Sequence, residues 1–157
     1  MLRTVPALLV IALAAPVALA APDEPIEEPS KPATAAVPGV TAETRVNEGL
    51  ALAKTNEWAG AERAYRDAIR LKPTLPEAWN GLGYALRQQQ RYDESVRAYQ
   101  EALRLRPNYP QALEYLGEAY VRMGRLPEAR EILARLQPLD PREAAELAQA
   151  IERASRR

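Results

Sequence analysis

Two glutamates one helical turn apart, Glu114 and Glu118, have the residue types and the spacing of an acid/base pair. Paired carboxylates perform proton chemistry only in a dry pocket, where their pKa values are driven apart. On an exposed helix the same two residues simply belong to a solvated face. The sequence favours the solvated face, and an enzymatic function based on this pair is the alternative with the least support.

The rest of the composition removes most other catalytic chemistry. The 157 residues include no histidine and no cysteine, which excludes imidazole bases, thiolate nucleophiles, Ser-His-Asp relays and Cys/His zinc sites. We therefore predict that the protein is not an enzyme and has no catalytic residue, no metal site, no cofactor and no small-molecule substrate.

The charge of the chain does not indicate a nucleic-acid partner. The sequence has 21 basic and 21 acidic residues. Residues 42–157 hold 19 of the basic and 17 of the acidic residues, which is a net charge of +2. So small a charge is weak for binding a polyphosphate, and we expect no nucleic acid among the partners.

Residues 1–21, MLRTVPALLVIALAAPVALAA, have the build of a secretory signal peptide, with one early positive charge, an apolar centre and small residues at the end. We predict cleavage after Ala20 or Ala21 and a periplasmic or secreted protein. The alternative is a retained anchor, but the apolar stretch from Val5 to Ala21 has 17 residues, fewer than the roughly 20 that a bilayer requires. No later segment is apolar enough to span a membrane, so the mature chain should have no transmembrane span.

Residues 22–41, PDEPIEEPSKPATAAVPGVT, contain five prolines and almost no large apolar side chains. Such a segment cannot form a core, and we predict a flexible, solvated linker. Its simplest role is spacing. A proline motif for a partner is the alternative, although no PxxP flanked by basic residues stands out.

From Thr41 onward the sequence repeats. The stretch LKPTLPEAWNGLG at 71–83 returns as LRPNYPQALEYLG at 105–117, which is 34 residues later. The repeat divides the chain into three units of 34 residues without insertion or deletion, at 42–75, 76–109 and 110–143.

Each unit has the pattern of a helical hairpin. In the second unit one stripe at helical spacing is formed by Trp79, Leu82, Gly83 and Leu86, and a second stripe by Tyr92, Ser95, Tyr99 and Ala102. These stripes predict a first helix, A, and a second helix, B, that packs antiparallel to it.

Small residues lie where the two helices of a hairpin must approach each other. We expect Gly83 on helix A to face Ser95 on helix B, and Gly117 to face Ala129 in the third unit. Glycine within a helix costs about 0.5–1 kcal/mol relative to alanine, so the recurring glycines imply close packing. The large residues that fill the space toward the next hairpin should be Tyr65, Tyr99 and Leu133.

The doubled prolines predict the ends of the helices. Proline lacks a backbone donor, so Pro73 and Pro107 should end a helix B, while Pro76 and Pro110 fit the first turn of the next helix A.

These residues resemble the tetratricopeptide-repeat (TPR) family, whose signature W-x2-L-G-x2-Y…A-x3-F…P is matched in the second unit by Trp79, Leu82, Gly83, Leu86, Ser95, Tyr99 and Pro107. In the third unit the matching residues are Leu113, Leu116, Gly117, Tyr120, Ala129, Leu133 and Pro141, and in the first they are Gly49, Leu52, Ala61, Tyr65 and Pro73. The resemblance implies an all-α fold, a right-handed solenoid of three repeats and a capping helix, with seven helices in the domain 42–157.

Departures from the signature lead to further expectations. Arg45 and Glu48 in the first unit should form an ion pair, and Pro138 should shorten the last helix B. The capping helix should cover 142–155, with Ala145, Ala148 and Ile151 turned toward the stack.

The resemblance also implies a binding site, because the A helices of this family line a concave groove that holds a peptide or a helix of a partner. The family's groove positions correspond here to Val46, Leu50, Lys54, Asn80, Tyr84, Arg87, Gln88, Glu114, Glu118, Val121 and Arg122.

Among these residues the apolar pair Val46 and Leu50 should be exposed, because packing within the stack does not explain it. The alternative is that the linker folds back and covers the pair. Arg87 and Arg122 should either receive acidic residues of a partner or pair with Glu114 and Glu118.

One subclass of the family binds a C-terminal carboxylate through basic and amide side chains. The corresponding positions here are occupied by Val46, Leu50, Gly81, Gln111 and Tyr115, so this clamp is absent.

The sequence thus predicts a non-catalytic scaffold that binds a protein or peptide partner. By resemblance to exported bacterial repeat proteins, we expect a role in envelope assembly, in pilus, secretion or outer-membrane machinery. A structural protein that associates with itself is the alternative.

Overall fold

The computed structural model describes residues 39–156, and the predicted signal peptide and most of the predicted linker lie outside this range. The described residues form seven α-helices and no strand, which confirms the predicted all-α fold. The helices are α1 (Ala42–Lys54), α2 (Trp58–Leu71), α3 (Pro76–Gln88), α4 (Tyr92–Leu105), α5 (Pro110–Arg122), α6 (Leu126–Leu136) and α7 (Pro141–Ser155).

The helices begin and end where local chemistry requires. At the start of α1 the side chain of Thr41 accepts a hydrogen bond from the backbone N–H of Thr44, and the side chain of Thr44 accepts one from Thr41. Pro76 and Pro110 occupy the first turns of α3 and α5, as predicted. In the first turns of α1, Arg45 also forms the expected ion pair with Glu48, at 2.6 Å.

The last hairpin has a shortened second helix, as predicted. Its second helix, α6, has 11 residues, against 14 in α2 and in α4, which confirms the effect expected of Pro138. Pro141, however, does not end a helix but stands in the first turn of α7, after an N-cap formed by Asp140. The proline pair that separates hairpins thus appears here as Pro138 and Pro141, three residues earlier than a strict 34-residue repeat would place it.

Each helix packs against the next one along the chain, and α1 also contacts α3, α3 contacts α5 and α5 contacts α7. The four odd-numbered helices thus form one layer of the domain, and α2, α4 and α6 form the other. This arrangement is the one predicted for stacked hairpins, with each hairpin burying an apolar face of its neighbour.

The core between the layers is built from glycines under aromatic rings. Tyr65 is buried and lies against both Gly49 of α1 and Gly81 of α3, and Tyr99 lies against Gly83. In the last hairpin this role passes to Leu147 and Ile132, which lie against Gly117. Leu133, the residue expected to fill this space, is only partly buried, because Leu147 of α7 reaches the glycine instead.

The capping helix turns a different face toward the stack than predicted. Its buried residues are Ala144, Leu147 and Ile151, whereas Ala145 is exposed and Ala148 is half-buried. From this face Leu147 projects into the core and lies against Gly117. Of the predicted inward residues only Ile151 is confirmed.

In the described part of the chain, no helix has the length and apolar character needed to cross a bilayer.

Candidate binding groove

A cavity of about 480 Å³ opens on the layer of odd-numbered helices. We call it the tyrosine cavity, because four tyrosines contribute to its wall. The lining residues are Val46, Leu50, Ala53, Lys54, Tyr65, Glu77, Asn80, Gly81, Tyr84, Tyr109, Gln111 and Tyr115. Helices α1, α3 and α5 supply most of them, which agrees with a groove along the A helices.

One part of the wall of the tyrosine cavity depends on a glycine. A Cβ atom at Gly81 would overlap the ring of Tyr65, so no other residue fits above this ring without displacing it. The lack of a side chain at Gly81 thus lets the ring of Tyr65 lie against α3, and both residues line the cavity.

The phenol groups around the cavity lie close to one another. Burial, together with the neighbouring phenols of Tyr84, Tyr109 and Tyr115, raises the pKa of Tyr65 to about 12. Burial likewise raises the pKa of Tyr109 and of Tyr115 above the usual value. The hydroxyl groups of Tyr65, Tyr109 and Tyr115 therefore stay protonated at neutral pH and can donate hydrogen bonds.

Amide side chains hold the tyrosines in place. Asn80 is only 6% exposed, and its amide nitrogen donates to the Gln111 side-chain oxygen at 3.1 Å and to the Tyr109 hydroxyl at 3.4 Å. The Gln111 amide nitrogen donates to the Tyr115 hydroxyl at 3.3 Å. Two buried acceptors in the same wall, Oδ1 of Asn80 and Oε2 of Glu77, have no hydrogen-bond partner in residues 39–156.

Arg87 lies between the tyrosines of the cavity and Glu118 of α5. Its guanidinium carbon lies 5.5 Å from the ring centre of Tyr84 and 5.0 Å from that of Tyr115. The same guanidinium forms an ion pair with Glu118, so the pairing of Arg87 across the groove, one of the two alternatives, is the one found. Trp58 extends the aromatic surface, with its ring centre 5.7 Å from that of Tyr84.

Glu114 is not the solvated carboxylate that the sequence favours. The side chain is half-buried between α5 and α7, and desolvation, followed by the charges of Glu143 and Glu118, raises its pKa to about 7. Glu114 thus meets one condition for proton chemistry. Neither Glu114 nor Glu118 lines the tyrosine cavity, however, and the partner of Glu118 is Arg87.

A second cavity, of about 410 Å³, lies between α5 and α7. We call it the arginine cavity. It is lined by Glu118, Val121, Arg122, Ala150, Arg153 and Ala154. The capping helix α7 contributes half of this wall. From the sequence, we expected this helix only to cover the end of the stack.

A depression of about 1030 Å³ beside α2 is larger than both cavities. Charged side chains that include Arg66, Asp67 and Arg70 line much of it, and these three already form ion pairs. It contains none of the predicted groove residues, and we do not treat it as the candidate site.

Most of the predicted site residues lie in or between the two cavities. Val46, Leu50, Lys54, Asn80 and Tyr84 line the tyrosine cavity, and Glu118, Val121 and Arg122 line the arginine cavity. Gln88 is exposed and lines neither.

The prediction for Val46 needs a correction. Leu50 is 49% exposed, as expected, but Val46 is only 9% exposed and belongs to the same apolar cluster as Tyr65 and Ala78. Val46 therefore packs within the stack, and Leu50 is the exposed residue of the pair.

Sequence reasoning missed several residues of the tyrosine cavity, namely Ala53, Tyr65, Glu77, Gly81, Tyr109, Gln111 and Tyr115. Tyr65 was assigned to the core, and it does belong there, but it also lines the cavity. The available signal was the glycine at position 81, which no element of the repeat signature explains.

Comparison with known families agrees with this architecture. A family model described as TPR repeat matches residues 49–86 and 83–124. The chain is a tetratricopeptide-repeat protein. The segments that match the TPR repeat cover all of α2, α3, α4 and α5 and the second half of α1, from Gly49 onward.

Solved TPR structures share the fold. The TPR2B domain in the pHsp70 complex of yeast Sti1 has a TM-score of 0.69 at 22% identity, over 73% of this chain and 96% of that one. The Arabidopsis OM64 TPR domain has a TM-score of 0.69 at 18% identity, over 72% and 95%. The second TPR domain of human RPAP3, in complex with the HSP70 peptide SGPTIEEVD, has a TM-score of 0.65 at 20% identity, over 71% and 98%. No curated protein matches the sequence.

Proposed function

We propose that this TPR protein is a non-catalytic binding module that holds an extended segment of a protein partner in the tyrosine cavity. The observation that supports this most directly is Leu50, a large apolar residue that is 49% exposed at the wall of an aromatic cavity. Burying such a residue together with tyrosine rings is the usual source of binding energy at protein interfaces.

The chemistry of the wall suits a peptide. Tyrosine rings offer apolar contact at a low entropic cost, since each has few rotatable bonds. A volume of about 480 Å³ is in the range of small binding sites and accommodates a few side chains.

The complexes among the TPR structures support a peptide as the ligand, because two of them hold heat-shock protein peptides. The residues that correspond to the family's carboxylate clamp differ in this chain, as described above. We therefore expect a ligand that is held by an apolar anchor instead of a terminal carboxylate.

The test is selection of peptides from a phage-displayed random 12-residue library on the purified chain. Selected peptides are then measured by fluorescence polarisation against two charge substitutions of exposed leucines. Leu50→Glu should abolish binding, whereas Leu71→Glu should have no effect, because Leu71 is 42% exposed on α2 and lies outside both cavities. If no selected peptide distinguishes the two variants, the tyrosine cavity is not the binding site.

The same peptides test whether the linker covers the site. A chain that lacks residues 22–38 should bind with the same dissociation constant as the full chain if the cavity is open. A much tighter dissociation constant for the shortened chain would show that the linker competes with the peptide.

We further propose that the protein acts in the bacterial envelope, in the assembly of a pilus, a secretion system or the outer membrane. This proposal is supported by the signal-like residues 1–21. Fractionation of expressing cells, followed by N-terminal sequencing of the product, should find it in the periplasm or medium with a start at Ala21 or Pro22. An uncleaved cytoplasmic product would exclude export.

A further inference from the structure

Two arginines that line the arginine cavity form no ion pair with any other residue of the described range. Most arginines of residues 39–156 form ion pairs, as Arg87 does with Glu118 and Arg106 with Glu77. Arg122 of α5 and Arg153 of α7 are exposed and form no ion pair within these residues, yet both line the same cavity. The cavity thus brings together two free guanidinium groups from different helices.

No carboxylate in the wall of the arginine cavity is left to pair with these two arginines. Val121, Ala150 and Ala154 are apolar, and the carboxylate of Glu118 is already paired with Arg87. The nearby acidic residues Glu114 and Glu143 belong to the first halves of α5 and α7, whereas both free arginines lie in the last turns of these helices. An anionic group is therefore the ligand that fits this end of the site.

Helix α5 sets the distance between the two cavities. Tyr115 lines the tyrosine cavity and Arg122 lines the arginine cavity. With a rise of 1.5 Å per residue, the offset of seven positions from Tyr115 to Arg122 spans roughly 10 Å along the helix axis. An extended peptide covers this distance in about three residues.

We infer that the partner segment has an aspartate or glutamate about three residues from its apolar anchor, and that Arg122 and Arg153 bind this carboxylate. The inference rests on the proposed function, because it assumes that the anchor occupies the tyrosine cavity. These two arginines do not occupy the positions of the family's carboxylate clamp, so the specificity belongs to this chain and its capping helix.

The peptides selected from the random 12-residue library provide the probe. We expect them to be enriched in an acidic residue three positions from a large apolar residue. A selected peptide is then measured against Arg122→Glu with Arg153→Glu, and against a matched control, Arg97→Glu with Arg130→Glu. Arg97 and Arg130 are exposed on α4 and α6, form no ion pair in the described residues and line neither cavity.

The double substitution in the cavity should weaken binding roughly tenfold or more at low salt, and the control should leave it unchanged. Replacing the acidic residue of the peptide by lysine should restore binding to the doubly reversed variant. If both double variants bind equally, or if the selected peptides show no acidic preference, the inference is wrong. Continued loss of binding in Leu50→Glu would then show that the proposed function itself still holds.

Discussion

The side chain of Ser95 donates a hydrogen bond to the backbone carbonyl of Gly83, with 2.8 Å between the oxygens. The bond joins α3 to α4 in the buried core of the second repeat. So close an approach of the two helices is feasible because Gly83 has no side chain, and the ring of Tyr99 lies directly over it. The contact explains why a glycine in the middle of a helix stabilises this fold.

Gly83→Ala should therefore destabilise the protein although alanine is the better helix former. The new Cβ atom would lie 2.6 Å from the Tyr99 ring, and this ring is fully buried and cannot move aside. We expect the free energy of unfolding to fall by about 2 kcal/mol, measured by urea denaturation followed by circular dichroism.

Gly60→Ala is the matched control for this substitution. The nearest atom to its new Cβ would be the end of the flexible Leu52 side chain, at 3.3 Å. The gain in helix propensity, up to about 1 kcal/mol, should then leave the protein equally stable or more stable. Equal losses in both variants would contradict the close-packing explanation.

Charge substitutions at Val46 and Leu50 should differ strongly in their effect on stability. Val46→Glu buries a carboxylate in an apolar cluster and should lower the free energy of unfolding by about 3 kcal/mol. Leu50→Glu adds the charge at an exposed position and should change it by less than about 0.5 kcal/mol. Thermal denaturation of the two variants checks this, and comparable losses would show that Leu50 is also part of the core.

Glu62 should contribute to stability at neutral pH through three donors. It is only 5% exposed, and it accepts from Gln89 at 2.7 Å, from Arg91 at 2.8 Å and from Arg66. Burial alone would raise its pKa, but the bonds from Gln89 and Arg91 and the charge of Arg66 outweigh burial and lower it. Glu62→Ala should cost about 2 kcal/mol at pH 7, because it leaves these donors without their acceptor.

The pH dependence separates this effect from simple loss of packing. A carboxyl group with a lowered folded pKa stabilises the protein above its ordinary value of 4.5 and loses this contribution as the pH falls through the folded value. The cost of Glu62→Ala should thus shrink in acid. Glu131→Ala, at an exposed position of α6, should cost little at any pH. A cost for Glu62→Ala that does not change with pH would contradict the charged network.

The ionised carboxylate of Glu114 should destabilise the folded protein, whereas that of Glu62 should stabilise it. Because its folded pKa is about 7, against an ordinary value of 4.5, the folded protein holds this proton more tightly than the unfolded chain between these two values. The free energy of unfolding should therefore decrease as the pH rises from about 4.5 to about 7. Glu114→Gln removes the penalty and should stabilise the protein at pH 8 by about 1 kcal/mol, after allowance for solvent screening.

Urea denaturation at pH 4 and pH 8 provides the measurement for Glu114→Gln. At pH 4 the variant and the original chain should be almost equally stable, since Glu114 is then protonated in both states. Glu131→Gln serves as the control and should show no such pH dependence. If Glu114→Gln is no more stable than the original chain at pH 8, the carboxyl group is solvated, as the sequence favours.

Local chemistry was enough to predict the helices and most of their ends. Proline restricts the backbone wherever it occurs, so Pro76 and Pro110 could be placed in the first turns of helices without knowledge of the fold. The helical spacing of the repeat residues likewise predicted, without knowledge of the fold, that Tyr65 and Tyr99 are buried. The resemblance to the TPR family indicated which helices line the groove.

How deeply a side chain is buried depends on neighbours that are distant in sequence, and the repeat pattern does not contain them. Val46 and Leu50 share one face of α1, yet Val46 is covered by the cluster around Tyr65 while Leu50 remains exposed. Leu147 of α7 packs beside Gly117, and the position of α7 places Glu143 near Glu114 and Arg153 in the same cavity as Arg122. The pattern of residues along the chain thus specifies which elements form and which faces meet, whereas exposure, pKa and the joining of charges into a site arise only when the helices are packed.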